Sequence, residues 1–194
     1  MIKIELAKTT DLDGLMRIIK ACAADLISKK IFQWSEKYPS SEVFKNDIKE
    51  NALYITRHNS EVIGCVALCS NKDLEYEDIK WLTEDNKNLY IHRLAVDPKF
   101  QKLGVGKSLM DFTEMYAKKN GFKSIRLDTF SQNKRNNKFY KSRKYVKLGD
   151  VFFPMQSEYP FHCYEKNYIK TLSLLNFFSF LSFQYSSFHN LKES

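Results

Sequence analysis

Gly104 and Gly106, two of only six glycines in the chain, sit in the run Gln101-Lys102-Leu103-Gly104-Val105-Gly106. A β-rich segment precedes that run and an amphipathic one follows it. Glycine lets a backbone turn sharply and approach a ligand closely. A helix that begins there aims unpaired N–H groups and partial positive charge into the loop. Together these make a site for a phosphate or pyrophosphate, and Lys102 and Lys107 add full charges. The loop lacks the GxxxxGK[ST] of a P-loop and the GxGxxG of a dinucleotide site. A plain strand-to-helix turn shares its pattern.

Proton-transfer candidates lie nearby. His92 stands two residues before Leu94. Strand alternation puts both on one face, and an unperturbed imidazole titrates near neutrality. A structural imidazole bonded within the sheet fits equally. Tyr90, on the same face, could order a water, and Asp128 lies on the following strand with its face undetermined. No GxSxG is present. His58, Cys65, Cys69, His162 and Cys163 show no zinc-ligand spacing, so no metal is expected.

The elements that must position these residues follow from periodicity. Residues 2–6 alternate as a first strand. Thr10 and Asp11 offer N-cap oxygens to a helix reaching about residue 29, with Leu12, Leu15, Ile18, Ile19, Cys22 and Leu26 as its apolar stripe. Ser40 or Ser41 caps a second helix to about Asn51. Residues 52–57 and 61–69 read as a hairpin around His58-Asn59-Ser60. Strands follow at 89–96, 123–130, 145–153 and 161–168, and helices after the glycine loop and at 133–143. The order βααβββαβαββ gives an α+β (mixed α/β) class, with antiparallel hairpins and one β-loop-α-β unit.

Composition bounds the setting. The chain has 194 residues, 43% hydrophobic, with a net charge of +8. That is enough apolar surface for one sizeable core and excludes wholesale disorder or a disulfide scaffold. Four cysteines without a CxxC pair, and an N-terminus without a long apolar region, point to a reduced, cytoplasmic setting. Residues 99–147 hold 14 basic against 3 acidic residues, so the positive excess is local and attracts phosphates. Residues 171–191 carry no charge and are rich in Phe, Leu and Ser. Their polar content points to a docked helix or partner-binding strip rather than a membrane anchor.

Two segments carry a family resemblance. Leu94-Ala95-Val96-Asp97-Pro98, followed after two residues by Gln101-Lys102-Leu103-Gly104-Val105-Gly106-Lys107-Ser108-Leu109-Met110, resembles motif A of the GNAT superfamily of N-acetyltransferases. That motif runs roughly [LV]-x-V-x-P-x-x-[RQ]-x-x-G-x-[GA]. Leu127-Asp128-Thr129, Asn133 and Tyr140 are similar to the family's LxVxxxNxxAxxxYxxxGF. Gln33-Trp34, Tyr38-Pro39 and Ile79-Lys80-Trp81 resemble a bacterial, uncharacterised subgroup. The resemblance covers residues 1–170 as one domain and leaves 171–194 outside as an extension.

The resemblance implies a central mixed, mostly antiparallel sheet of about seven strands, flanked by about four helices and splayed between the fourth and fifth strands. It implies acetyl-CoA as the coenzyme and a small-molecule or peptide amine as acceptor. Backbone groups of Leu94, Ala95 and Val96 would pair with the pantetheine arm. Gln101, Lys102, Leu103, Gly104, Val105, Gly106, Lys107 and Ser108 would wrap the pyrophosphate. Asn133 would contact pantetheine, and Tyr140 would protonate the thioester sulfur. The basic block 134–147 would meet the 3′-phosphate. Gln33, Trp34 and Tyr38 would lie at the acceptor site, with Tyr90 and Asp128; the acceptor pocket would be built by residues 30–40, 72–88 and 150–160. A homodimer is common in this family. Two departures stand out: Asn136 where a small residue is expected, and Lys144 where a glycine is expected before Tyr145.

Acetyl transfer to an amine needs a deprotonated amine, a polarised carbonyl and a proton for the leaving thiolate. A catalytically weak CoA-binding sensor or interaction module is the alternative. Nucleic-acid binding through the 99–147 charge is not expected, because the interleaved aromatics of a single-strand binder and a helix-turn-helix are both missing. Direct transfer is expected over an acyl-Cys163 intermediate.

Overall fold

A computed structural model describes residues 2–35, 38–154 and 156–168. The extension at 171–194 lies outside the described residues. Among the described residues seven strands form one sheet: β1 (Ile4–Leu6), β2 (Leu53–His58), β3 (Glu61–Cys69), β4 (Asn88–Val96), β5 (Ser124–Phe130), β6 (Val146–Val151) and β7 (Phe161–Asn167). Their spatial order is β1-β2-β3-β4-β5-β7-β6. The β4–β5 pair is parallel and every other pair antiparallel. The helices are α1 (Leu12–Ser28), α2 (Ser41–Lys49), α3 (Val105–Lys119) and α4 (Lys134–Ser142). This is the expected mixed sheet and element order.

Helices on both faces explain why β3 is apolar almost throughout. Cys65 and Ala67 pack with Leu15, Ile18, Ile19 and Cys22 of α1 and Phe44 of α2. Val66 and Leu68 pack on the other face with Val105, Leu109 and Met110 of α3 and Tyr140 of α4. A third cluster of Tyr76, Tyr90, Phe130, Val151, Phe161 and Cys163 fills the far end of the sheet. The β2–β3 hairpin turns at Asn59 (φ 47°) and Ser60 (φ 69°). Two positive φ values match the right-handed twist of the flanking strands. Asp11 precedes α1, but its Oδ2 accepts the Lys8 N–H (2.8 Å) and makes no cap bond to the helix. All four cysteines are free thiols.

The splay has a visible origin. The β4–β5 register pairs Asn88 with Ser124 through Ile91 with Leu127 and then stops. Beyond it, Arg93 (φ 51°) introduces a bulge: Ala67 opposes His92, yet Cys65 opposes Ala95. A bulge bends its strand and raises local twist, which carries residues 92–96 away from β5.

Lys144 does adopt the left-handed turn that glycine favours, with φ 66°, and the Tyr145 N–H donates to the Tyr140 carbonyl (3.1 Å). The expected turn forms with a strained side chain in it. Lys144→Gly should therefore raise stability by about 0.5–1 kcal/mol, the strain relief being partly offset by backbone entropy. Chemical denaturation checks this; a loss of stability would contradict the strain.

Candidate active site

The opened strands leave two adjoining cavities. The larger, of about 390 Å³, runs past Cys22, Leu26, Val96, Gly104, Gly106 and Lys107 to Asn133 and Arg135. The smaller, of about 70 Å³, is walled by His92, Arg93, Asp128, Thr129, Gln156 and Phe161. Gln33, Trp34, Leu94, Asn136 and Tyr140 belong to both walls. Tyr140 thus stands at the junction.

The loop entering α3 is held from behind. Arg17 Nη1 donates to Asp97 Oδ2 (2.9 Å) and its Nη2 to the Val62 carbonyl (2.7 Å). Asp97 is 2% exposed, and its Oδ1 accepts the Lys99 N–H (3.0 Å). Gly104 then takes φ 82°, with nothing within 4 Å of where a Cβ would sit. The first helical bond runs from Ser108 N–H to Gly104 O (2.9 Å). It leaves the N–H groups of Val105, Gly106 and Lys107 without a backbone carbonyl among the described residues. Such a helix start accepts an anion.

Several expected contacts at this loop need correction. Ser108 has spent its N–H within the helix. Val105 and Leu103 can serve only through their backbone, since the Val105 side chain is in the core and that of Leu103 is 67% exposed. Lys107 is paired with Asp111 (2.7 Å). The Val96 carbonyl, expected to be free, accepts from the Cys22 thiol (3.2 Å) and from Gln101 Nε2 (3.2 Å). Gln101 Oε1 in turn accepts from Arg135 Nη1 (2.6 Å), so this side chain ties β4 to α4. Of the basic block, Arg135 alone lines the groove. Lys134, Lys138, Lys141 and Lys147 line a separate shallow surface, and Arg143 is bound to Asp111 and Glu114.

Asn133 caps α4: its Oδ1 accepts the Asn136 N–H (3.1 Å), and its Nδ2 reaches Gln33 Oε1 (3.4 Å). Asn136, at the position where a small residue is expected, lines both cavities. The Tyr140 ring packs against Tyr145 and Tyr164. Burial raises its phenol well above the usual range, and the Asp128 charge raises it further. Among the described residues no group bonds its hydroxyl.

His92 does not suit the proton-accepting role expected of it. Burial pushes the His92 imidazole down to about 3, helped by the Arg93 guanidinium, so the ring is neutral and a poor base. A bulge at Arg93 lies between His92 and Leu94, yet both face the small cavity, as the alternation predicts. Asp128 is the group with suitable acidity. Burial raises its carboxyl to about 6, opposed by a hydrogen bond from the Tyr76 hydroxyl. Local sequence carries no signal for either shift.

Tyr90 lies outside both cavities, contrary to expectation. Its hydroxyl accepts from Arg126 Nη1 (2.9 Å), and its ring stacks on Tyr76. Tyr38 is likewise not part of either wall; its phenol is raised by burial beside Arg93. Trp34 walls both cavities and also packs on the α1–α2 core.

Residues 19–145 match the model described as the Acetyltransferase (GNAT) family. The chain belongs to that family. Its similarity to an uncharacterized N-acetyltransferase of Methanocaldococcus jannaschii is 30% identity over 115 residues. That match covers 58% of this chain and only 44% of the relative's length. Among solved structures, a GNAT acetyltransferase from Streptococcus agalactiae superposes with a TM-score of 0.75 at 20% identity, over 87% of this chain and 96% of that one. PaiA N-acetyltransferase from Thermoplasma acidophilum, solved in complex with coenzyme A, gives 0.63 at 21% identity, over 87% and 99%. At these identities the structural likenesses speak for the fold. No helix among the described residues is long and apolar enough to cross a membrane.

Proposed function

We propose that this chain is an acyltransferase that moves an acetyl group from acetyl-CoA to a primary amine of a small molecule or peptide, directly in a ternary complex. The observation that carries the proposal is Tyr140 at the junction between a groove with an anion-accepting helix start and a polar cavity holding Asp128. The groove suits the coenzyme. Gly104 leaves open space at the loop, and the unpaired N–H groups of 105–107 suit a pyrophosphate. The relative solved with coenzyme A has the same fold.

Bound acetyl-CoA supplies the acyl group as a thioester. The acceptor arrives as an ammonium in the small cavity. Asp128, with its carboxyl near pKa 6, is largely ionised at neutral pH and takes the ammonium proton. The neutral nitrogen lone pair is then free to attack. Tyr140, kept protonated by its raised pKa, donates its phenolic proton to the departing sulfur and regains one from the nitrogen, which sheds its second proton as the tetrahedral intermediate collapses to the amide. The net proton released stays with Asp128 until it passes to solvent. Direct transfer is favoured because Cys163 is buried and burial pushes its thiol well above its usual range, which leaves it inert as a nucleophile.

A thiol-release assay with acetyl-CoA against polyamines, amino acids, aminoglycosides and peptide N-termini tests the activity. Coenzyme binding with no turnover across that panel would favour a sensor instead. Tyr140→Phe should lower kcat by about 10²-fold, the usual size of an acid–base contribution. Affinity for acetyl-CoA, measured by calorimetry, should stay nearly intact. An unchanged kcat removes Tyr140 as the acid.

A further inference from the structure

Tyr76 was not singled out by any motif, yet it is completely buried and reaches into the acid–base machinery. It comes from a short 3₁₀ turn, Leu74–Tyr76, in the segment between β3 and β4. Its hydroxyl donates to Asp128 Oδ1. The ring is clamped on two sides: Trp81 stands edge-on at 5.5 Å, and Tyr90 stacks at 5.9 Å.

That clamp is itself anchored. The fully buried Arg126 places its guanidinium 4.6 Å from the Trp81 ring centroid and bonds the Tyr90 hydroxyl. It also donates to the Thr83 and Glu84 carbonyls, which fixes the backbone beyond the turn. Glu165 holds the other side, accepting from Arg126 Nε (3.2 Å), Thr83 Oγ1 (2.5 Å) and the Leu82 N–H (2.5 Å). These contacts place the phenol against the carboxylate.

We propose that Tyr76 is a positioning residue for the transfer reaction: its phenol pins one oxygen of the Asp128 carboxylate, holds the group ionised, and leaves the second oxygen for the acceptor's ammonium. This rests on the assignment of Asp128 as the base. The other groups facing Asp128 do not substitute for Tyr76. The Arg93 charge also favours the ionised form, but its guanidinium is engaged by both oxygens of Asp47 (2.6 and 2.7 Å). Asp73, from the same segment as Tyr76, carries like charge and pushes Asp128 the opposite way. His92 on β4 is neutral, and Cys163 on β7 is an un-ionised thiol across the register. Tyr140 on α4 and Tyr38 are both raised phenols that stay protonated. Tyr76 is the one among these groups that donates a hydrogen bond to Asp128.

Tyr76→Phe tests this, since it keeps the ring and removes the donor. Losing a hydrogen bond to the charged form raises a carboxyl pKa. The acidic limb of kcat/KM should therefore move up by about one pH unit. Activity should fall about fivefold at pH 6 and recover to within about twofold at pH 8.5. The KM for acetyl-CoA should not move. A 13C-NMR titration of the Asp128 carboxyl should show the same upward shift without reference to turnover. Asp128→Asn is measured alongside. If it retains full activity, the base assignment fails and this proposal with it. If it is inactive but Tyr76→Phe loses activity equally at every pH with the carboxyl titration unmoved, Tyr76 is structural only and the proposal alone is overturned.

Discussion

Gly104→Glu is expected to weaken acetyl-CoA binding at least ~100-fold, about 2.7 kcal/mol, while the protein stays folded. The reason is local. A side chain built at Gly104 enters open space at the start of α3, where the N–H groups of 105–107 point. A carboxylate there occupies the anion position and repels the pyrophosphate. A second effect must be separated from the first. Gly104 has φ 82°, and any L-residue in that region is strained by about 1–2 kcal/mol. Gly104→Ala carries the strain without the charge and meets no atom within 4 Å. Calorimetry should find Gly104→Ala binding within about threefold of wild type, with both variants losing a few degrees of melting temperature. Wild-type affinity in Gly104→Glu would remove the loop from the coenzyme site.

Asp128→Asn should lower kcat/KM by about 10²–10⁴, the span of a general base, and should also make the protein more stable. The sign follows from the titration. The folded carboxyl titrates near 6, above its ordinary 3.8, because burial disfavours the charge. Between those values the native state binds more protons than the unfolded chain, so stability falls as pH rises through that window. At pH 7 the ionised group has lost up to about 3 kcal/mol relative to its neutral form. Asparagine keeps the shape and omits the charge. His92 runs the other way. Its pKa is depressed to about 3, so the stability tied to its neutral ring is present above 6.5 and is lost as pH falls toward 3. In the wild type the two slopes oppose each other between about pH 4 and 6. Asp128→Asn removes the opposing Asp128 slope, and thermal melts should show the change of stability with pH across that range shifted in the rising direction relative to the wild type. A variant that is both active and less stable would refute this arrangement of the base. A variant that is inactive and more stable shows a site that keeps a costly charge for its chemistry.

The element order, the glycine loop and the Asn133–Tyr140 spacing were legible in the sequence because each is encoded by contiguous residues. A strand, a positive-φ glycine and a helix start are local features, and Gly104 (φ 82°) sets that turn together with Lys102 (φ 66°). What only the tertiary structure decided is the small cavity and its charges. The one-residue bulge at Arg93 ends the β4–β5 pairing and opens that cavity, with His92 and Leu94 both on its wall. Burial, which no local pattern encodes, moved the His92 and Asp128 titrations in opposite senses. Tyr90 left the site and Tyr76 entered it through a stack anchored by Arg126 and Glu165, residues 39 positions apart. Desolvation and long-range hydrogen bonds depend on which distant segments meet, so chain order carries them only through the fold.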